Sequence, residues 1–356
     1  VSDDHDIEDS STEAANDDSG PLRAPFPYFG GKRGIAAAVW QRLGEPKQYI
    51  EPFCGSAAML LSAPKAASLE VAGDFNGFIV NFWRAVQAQP AEVARWADYP
   101  VSHIDLGARH IWLMQQRDRI GASLHDVDWT GDAKVAGWWL WGQCAWIGSG
   151  WCEWTGKAAG QIPLVGNAGR GVQAIGQIPF LSSAGLVPHP GAAEGAADDT
   201  SWTSSGAVAQ QWLARLAARI ERVRLIHGDW SRCLNHRYGK ASTAVFFDPP
   251  YENYEGLYRA GKVAQDVAAW CKAHPEIRIA LCGHIGDYDL PDWDVMQWSR
   301  KRNTYGGTGT KDAEAIWFSP GCLKPGAVPE APKRSAKSPV SNDTQPSLFD
   351  IIKAAS

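Results

Sequence analysis

Short, mostly apolar runs recur along this chain, and each of the first four ends on a small or acidic residue. Tyr49 to Phe53 runs into Cys54-Gly55-Ser56, Ser68 to Ala72 into Gly73-Asp74, Val223 to His227 into Gly228-Asp229, and Ala244 to Phe247 into Asp248-Pro249-Pro250-Tyr251. Unbroken apolar runs such as Ala244-Val245-Phe246-Phe247 are the pattern of parallel strands covered on both faces. Arg278 to Cys282 and Ala315 to Phe318 supply further strands. Between the runs the spacing turns helical. Helices are expected over Arg33 to Leu43, stopped near Gly44 and Pro46, then from Ala57 to Leu61, Ile79 to Gln87, Ala207 to Arg222 and Val263 to Ala273. Strand followed by helix, twice in succession, predicts an α/β fold built on a parallel sheet.

The pattern breaks between residues 105 and 204. There Trp112, Trp129, Trp138, Trp139, Trp141, Trp146, Trp151, Trp154 and Trp202 alternate with glycines, and Gly156 to Thr200 is mostly Gly, Ala and short polar residues. Such a stretch reads as an insertion into the sheet domain, with a long loop of the functional kind. The domain itself is expected over 21–104 and 205–320, and residues 321–356, rich in Pro, Ser and Lys, as a flexible tail. Residues 1–20 carry eight acids and no Lys or Arg, the composition of a disordered leader.

Charge matters here through its distribution. The formal net charge is −5, but without the eight leader acids the chain carries 34 basic and 31 acidic residues, so the body is mildly basic. Seven scattered cysteines, an odd number, fit reduced thiols in a cytoplasm. No run of about 18 apolar residues appears and no basic-then-apolar leader opens the sequence, so neither a membrane span nor secretion is expected.

Asp248-Pro249-Pro250-Tyr251 carries the most chemistry. In open α/β sheets ligands bind at the carboxyl ends of the strands, where this tetrad emerges. Prolines hold φ and donate no N–H, so the turn is stiff and its carbonyls are acceptors. A carboxylate and a carbonyl can take both protons of a planar amino group while an aromatic face stacks on the ring that bears it. The competing reading is a rigid proline turn with a surface tyrosine. Glu51-Pro52-Phe53-Cys54-Gly55-Ser56 has the small residues that let a ligand approach backbone and a helix N-terminus, and Asp74 ends the next strand where such folds place a carboxylate against ribose hydroxyls.

Together these residues resemble the Dam-like, alpha-group adenine-N6 DNA methyltransferases, with the motifs in that group's order. Pro27-Tyr28-Phe29-Gly30-Gly31-Lys32 resembles its Y-x-G-G-K element and Tyr49 to Ser56 its E-P-F-x-G-x-G loop. Gly73-Asp74-Phe75-Asn76 resembles its N-D-I-N, Gly228-Asp229-Trp230 its G-D-F, and Glu314 to Phe318 its final strand, with Asp248 to Tyr251 as the catalytic tetrad. The resemblance implies a Rossmann-like, seven-stranded-like α/β methyltransferase sheet with an inserted target-recognition domain, double-stranded DNA as partner and S-adenosylmethionine as donor. It implies that Tyr28, Gly30, Gly31 and Lys32 meet the methionine end. Glu51, Pro52, Phe53 and Gly55 would line the cofactor, Asp74 bind ribose, and Asp229 accept from the adenine amino group. A target adenine would have to leave the duplex, at a cost of a few kcal/mol. The same geometry suits cytosine N4, and a non-catalytic DNA-binding protein could retain the fold. The family's second loop glycine is replaced around Ser56-Ala57, a small-for-small change, and its asparagine-glycine-arginine DNA contact is absent from Trp141 to Trp151.

Other signals are thinner. Lys157 and Arg170 in the insertion and the basic loop containing Arg300, Lys301 and Arg302 are candidate DNA contacts. Gly30-Gly31-Lys32 is followed by Arg33, so the phosphate-loop pattern is not met. Cys271, His274, Cys282 and His284 have zinc-like types but span a helix end and a buried strand, and no metal is expected. Gln345-Pro346-Ser347-Leu348-Phe349 resembles the bacterial sliding-clamp peptide through Gln345, Leu348 and Phe349, with Pro346 in place of its leucine.

Overall fold

The structure, a computed structural model, describes residues 22–26, 32–99, 102–145, 151–152, 154, 204–234, 239–250, 260–298 and 314–325. Seven strands form one sheet: β1 (Gln48–Glu51), β2 (Leu69–Asp74), β3 (Arg224–His227), β4 (Thr243–Phe247), β5 (Arg278–His284), β6 (Asp294–Trp298) and β7 (Glu314–Phe318), in spatial order β3-β2-β1-β4-β5-β7-β6. The first five strands in that order are mutually parallel, and β7 runs antiparallel to both β5 and β6. The order 3-2-1-4-5 is that of doubly wound sheets, whose direction of winding reverses between β1 and β4. This is the Rossmann-like fold expected of a methyltransferase, with further helices inserted between β2 and β3. The strand β6 had no counterpart among the expected elements.

Alternation explains the unbroken apolar runs. Ala244 and Phe246 of β4 join one core cluster while Val245 and Phe247 join the other, so every position of the strand is covered. α1 (Ala36–Leu43), α3 (Gly77–Ala88), α4 (Pro90–Ala97), α5 (His103–Ser123), α6 (Ala133–Ala145) and α7 (Ser204–Ile220) contribute to the first cluster. α8 (Ala260–Ala273) covers the other face. Local chemistry marks the helix ends. Gly44 at φ 65° closes α1, the Asn76 side chain accepts from Phe78 N–H at the start of α3, Pro90 opens α4, and Ser102 accepts from Asp105 N–H ahead of α5.

The described tryptophans of the break in pattern lie in the core of the sheet domain or pack against it. Trp139 is fully buried, 4.9 Å edge-on to Phe26 and 5.9 Å from Phe82 of α3, and Trp141 and Trp151 belong to the same cluster. The Arg109 guanidinium is packed 4.3 Å from Tyr99, 4.9 Å from Trp138 and 4.2 Å from Trp141. α5 and α6 therefore thicken one face of the sheet rather than enclosing a core of their own among the described residues. Trp146, Trp202, Lys157 and Arg170 lie outside those residues. Cys271 and Cys282 face opposite sides of the sheet, which keeps them from sharing a metal. The compact unit runs to Pro325, and no described helix is long and apolar enough to cross a membrane.

Candidate active site

Because β1, β2, β3 and β4 are parallel, their carboxyl ends share one edge of the sheet. Ile50 pairs with Val245, so the turn after Glu51 and the tetrad at Asp248 leave adjacent strands side by side. Asp74 and Gly228-Asp229 emerge beyond them in the order β1, β2, β3.

The turn after β1 is tied to the end of β2 by its backbone. Cys54 N–H donates to Gly73 C=O at 2.9 Å, and Gly55 N–H donates to Asp74 Oδ2 at 3.0 Å. Trp83 Nε1 donates to Gly55 C=O at 2.9 Å and anchors the turn to α3. Gly55 and Ala57 both adopt left-handed backbone, at φ 45° and 52°. Ala57 occupies the position of the second loop glycine, so the replacement expected to be neutral in size places a Cβ where only glycine is unstrained. α2 (Ala58–Leu61) starts at this residue.

Glu51 points inward. Its Oε2 accepts from Leu60 N–H at 2.9 Å, capping α2, and from the Tyr49 hydroxyl at 3.0 Å. It is 3% exposed, and burial, aided by the Asp248 and Glu70 charges, pushes its carboxyl up to about 8 against these two hydrogen bonds. Its role is thus one layer beneath the surface where a ligand would lie. Phe53 is half-buried and packs 6.4 Å from Phe247.

Asp74 is half-buried at the edge. Oδ1 accepts from Asn76 N–H at 2.8 Å and Oδ2 from Gly55 N–H at 3.0 Å, and the Phe75 amide also bonds the carboxylate, which of its roughly four acceptor positions keeps one for a further donor. Burial raises its carboxyl to about 6 against the pull of these amides. Phe75 beside it is half exposed, an apolar face that the sequence reading passed over. The available signal was an aromatic residue between an acid and a helix N-cap just past a strand. Asp229 is exposed and its Oδ1 accepts from Ser231 N–H at 3.0 Å.

Lys32 takes an unexpected place. Read from the sequence as a contact for the methionine end of a cofactor, its ammonium stands 3.0 Å from Asp248 Oδ1 and 3.8 Å from Glu314 Oε2, and the residue is 3% exposed. Burial works against its charge, but Asp248, with smaller help from Cys282 and Glu314, outweighs it and holds the ammonium above the usual lysine value. The Cys282 thiol, buried on β5, hydrogen-bonds to Asp248, and burial with the Asp248 charge keeps it protonated. Ile285, past the end of β5, is exposed on the same edge.

The edge therefore offers a strained glycine-type turn, a carboxylate with spare acceptor capacity, an apolar ring and a second carboxylate held by a buried cation. Residues 28–100 match the D12 class N6 adenine-specific DNA methyltransferases. The match covers the first two strand-and-turn units and ends before Asp248. It supports, at the level of that family, a methyltransferase acting on adenine in DNA with S-adenosylmethionine as donor. No match was found among curated proteins. Tyr28, Gly30, Gly31, Tyr251, Arg300, Lys301, Arg302, Gln345, Leu348 and Phe349 lie outside the described residues.

Proposed function

We propose that the chain is a Dam-like, site-specific DNA methyltransferase that transfers a methyl group from S-adenosylmethionine to N6 of an adenine turned out of the duplex. The observation that carries this reading is the meeting of the β1 turn and Asp248-Pro249-Pro250 at the point where the winding of the sheet reverses. The residues present fit the donor. Asp74 has acceptor capacity for ribose hydroxyls, Phe75 offers a face for a purine, Gly55 lets the ligand approach backbone, and Asp229 is open to an exocyclic amine. Tyr28, Gly30 and Gly31 would complete the methionine end. S-adenosylmethionine supplies a methyl group activated by its sulfonium.

The chain's own contribution is orientation. Adenine's amino lone pair is delocalised into the ring, which makes the nitrogen a poor nucleophile. Asp248 and the Pro249 carbonyl, each accepting one amino proton, favour a pyramidal nitrogen with its lone pair directed at the methyl group. As the new N–C bond forms and the methyl–sulfur bond breaks to leave a neutral thioether, positive charge builds on the amino nitrogen, which then gives up one proton to the Asp248 carboxylate. Lys32 fixes that carboxylate in one orientation before substrate arrives. Tyr251 would stack on the base, recovering roughly 1–3 kcal/mol of the flipping cost. Residues 105–204 would serve as the target-recognition insertion with Lys157 and Arg170 at DNA, joined by Arg300, Lys301 and Arg302 at the rim. Gln345, Leu348 and Phe349 would dock on a sliding clamp.

Incubation with labelled S-adenosylmethionine and DNA, followed by nucleoside analysis, tests the reading. N6-methyladenine with the wild type, and a rate at least about 100-fold lower with Asp248→Ala, is expected. A fully active Asp248→Ala chain would refute the mechanism, and N4-methylcytosine as sole product would move the target to cytosine. DNA binding without methyl transfer would leave a binding protein on a methyltransferase fold.

A further inference from the structure

The ammonium beside Asp248 creates an electrostatic problem for the proposed reaction. Methyl transfer to an amino group starts from a cationic donor and builds positive charge on nitrogen, so the acceptor site should be net negative. Lys32 and Asp248 alone form a neutral pair. The third member of the cluster, Glu314, comes from a distant part of the chain. β7 runs against the direction of β5, so its first residue, rather than its last, reaches the carboxyl edge, where Glu314 pairs with His284 in the ladder. Two positions along β7, Ile316 pairs with Cys282, whose thiol contacts Asp248. Lys32, Asp248 and Glu314 thus share one ammonium between two carboxylates, leaving one negative charge. Glu51 lies in the same field but stays protonated to about pH 8 and adds none near neutrality. His284 and Asp287, with Nδ1 and Oδ2 3.7 Å apart, form a separate pair after β5.

We propose that Glu314 is a positioning residue that keeps the Asp248 site net negative by offsetting the charge of Lys32, so that the site favours a cationic methyl donor and the cationic nitrogen formed by transfer. This rests on the methyltransferase reading of the site. Glu314 meets the same ammonium that orients Asp248, so the aspartate is held in place without being fully neutralised. No local sequence signal marks this function, because the residue merely opens an apolar strand.

Glu314→Gln keeps size and removes the charge. Isothermal titration with S-adenosylmethionine and with its uncharged product S-adenosylhomocysteine reads the effect without turnover. The ratio of the two affinities is expected to fall about five- to tenfold toward the neutral compound, with S-adenosylhomocysteine binding within about twofold of wild type. In single turnover at saturating donor and DNA the rate is expected to fall about 10- to 100-fold, and Glu314→Asp to recover much of both effects. An affinity ratio and a rate both within about twofold of wild type would overturn the proposal. If Glu314→Gln does not fold, a Glu314→Asp chain that folds and has lost the wild-type affinity ratio also overturns it. Wild-type protein that binds both compounds yet transfers no methyl group defeats the catalytic reading, while the affinity ratio still decides the charge of the site. Wild-type protein that binds neither defeats both.

Discussion

Glu51→Gln is expected to remove a large pH-dependent loss of stability. Burial raises the Glu51 carboxyl from 4.5 to about 8, so the folded chain retains a proton that the unfolded chain has released throughout that interval. Stability from this group is therefore fully present below about pH 4.5, declines as pH rises and levels off above about pH 8. At about 1.4 kcal/mol per unit, the decline from pH 5 to pH 8 amounts to about 3 kcal/mol. The amide introduced by the substitution retains an oxygen that can accept from Leu60 N–H and the Tyr49 hydroxyl, the two bonds that hold the wild-type side chain. Urea unfolding of both proteins at pH 5, 6, 7 and 8, followed by tryptophan fluorescence, measures the difference directly. Asp74, raised to about 6, titrates in both proteins and cancels in the comparison. The variant should gain steadily on wild type with pH. Parallel stability profiles would mean that Glu51 ionises normally and that its carboxylate is not confined beneath the β1 turn as described.

Ala57→Gly relieves a left-handed backbone at the cost of a more flexible unfolded chain, for a net gain of about 0.5–1 kcal/mol, checked by the urea midpoint. Phe75→Ala should weaken S-adenosylhomocysteine binding about tenfold by calorimetry while leaving the melting temperature nearly unchanged, because the ring is half exposed. Gly142→Ala would drive a Cβ into the Trp151 ring and should destabilise by about 1–3 kcal/mol or more, read as a lower melting temperature; an unchanged value would show that Trp151 does not pack against α6.

Strand identity was legible because burial on both faces demands apolar residues at every position, as in Ala244 to Phe247, and the end of α1 because Gly44 marks it through local chemistry, whereas the Asn76 cap of α3 and the Pro90 that opens α4 were not read. β6 escaped notice because Asp294-Val295-Met296-Gln297-Trp298 has an edge strand's mixed pattern, with Val295 exposed. The tryptophans were harder to assign, since a ring that fills a core and a ring that meets a base look alike in sequence; only packing against Phe26 and Phe82 decided for Trp139.

The sequence by itself determined which groups stand at the ends of the parallel strands, because an acid or glycine after an apolar run must emerge at the carboxyl edge wherever that strand lies in the sheet. Glu51, Asp74, Asp229 and Asp248 were located in this way. What each group faces depended on neighbours brought from elsewhere in the chain. Glu51 turned inward because α2 begins above it and offers Leu60 N–H, and Lys32 meets both Asp248 and Glu314 because the end of β4 and the start of the reversed β7 reach the same edge. Charge on a buried side chain is settled by its partners across space, and those partners follow from strand order and direction rather than from spacing along the chain.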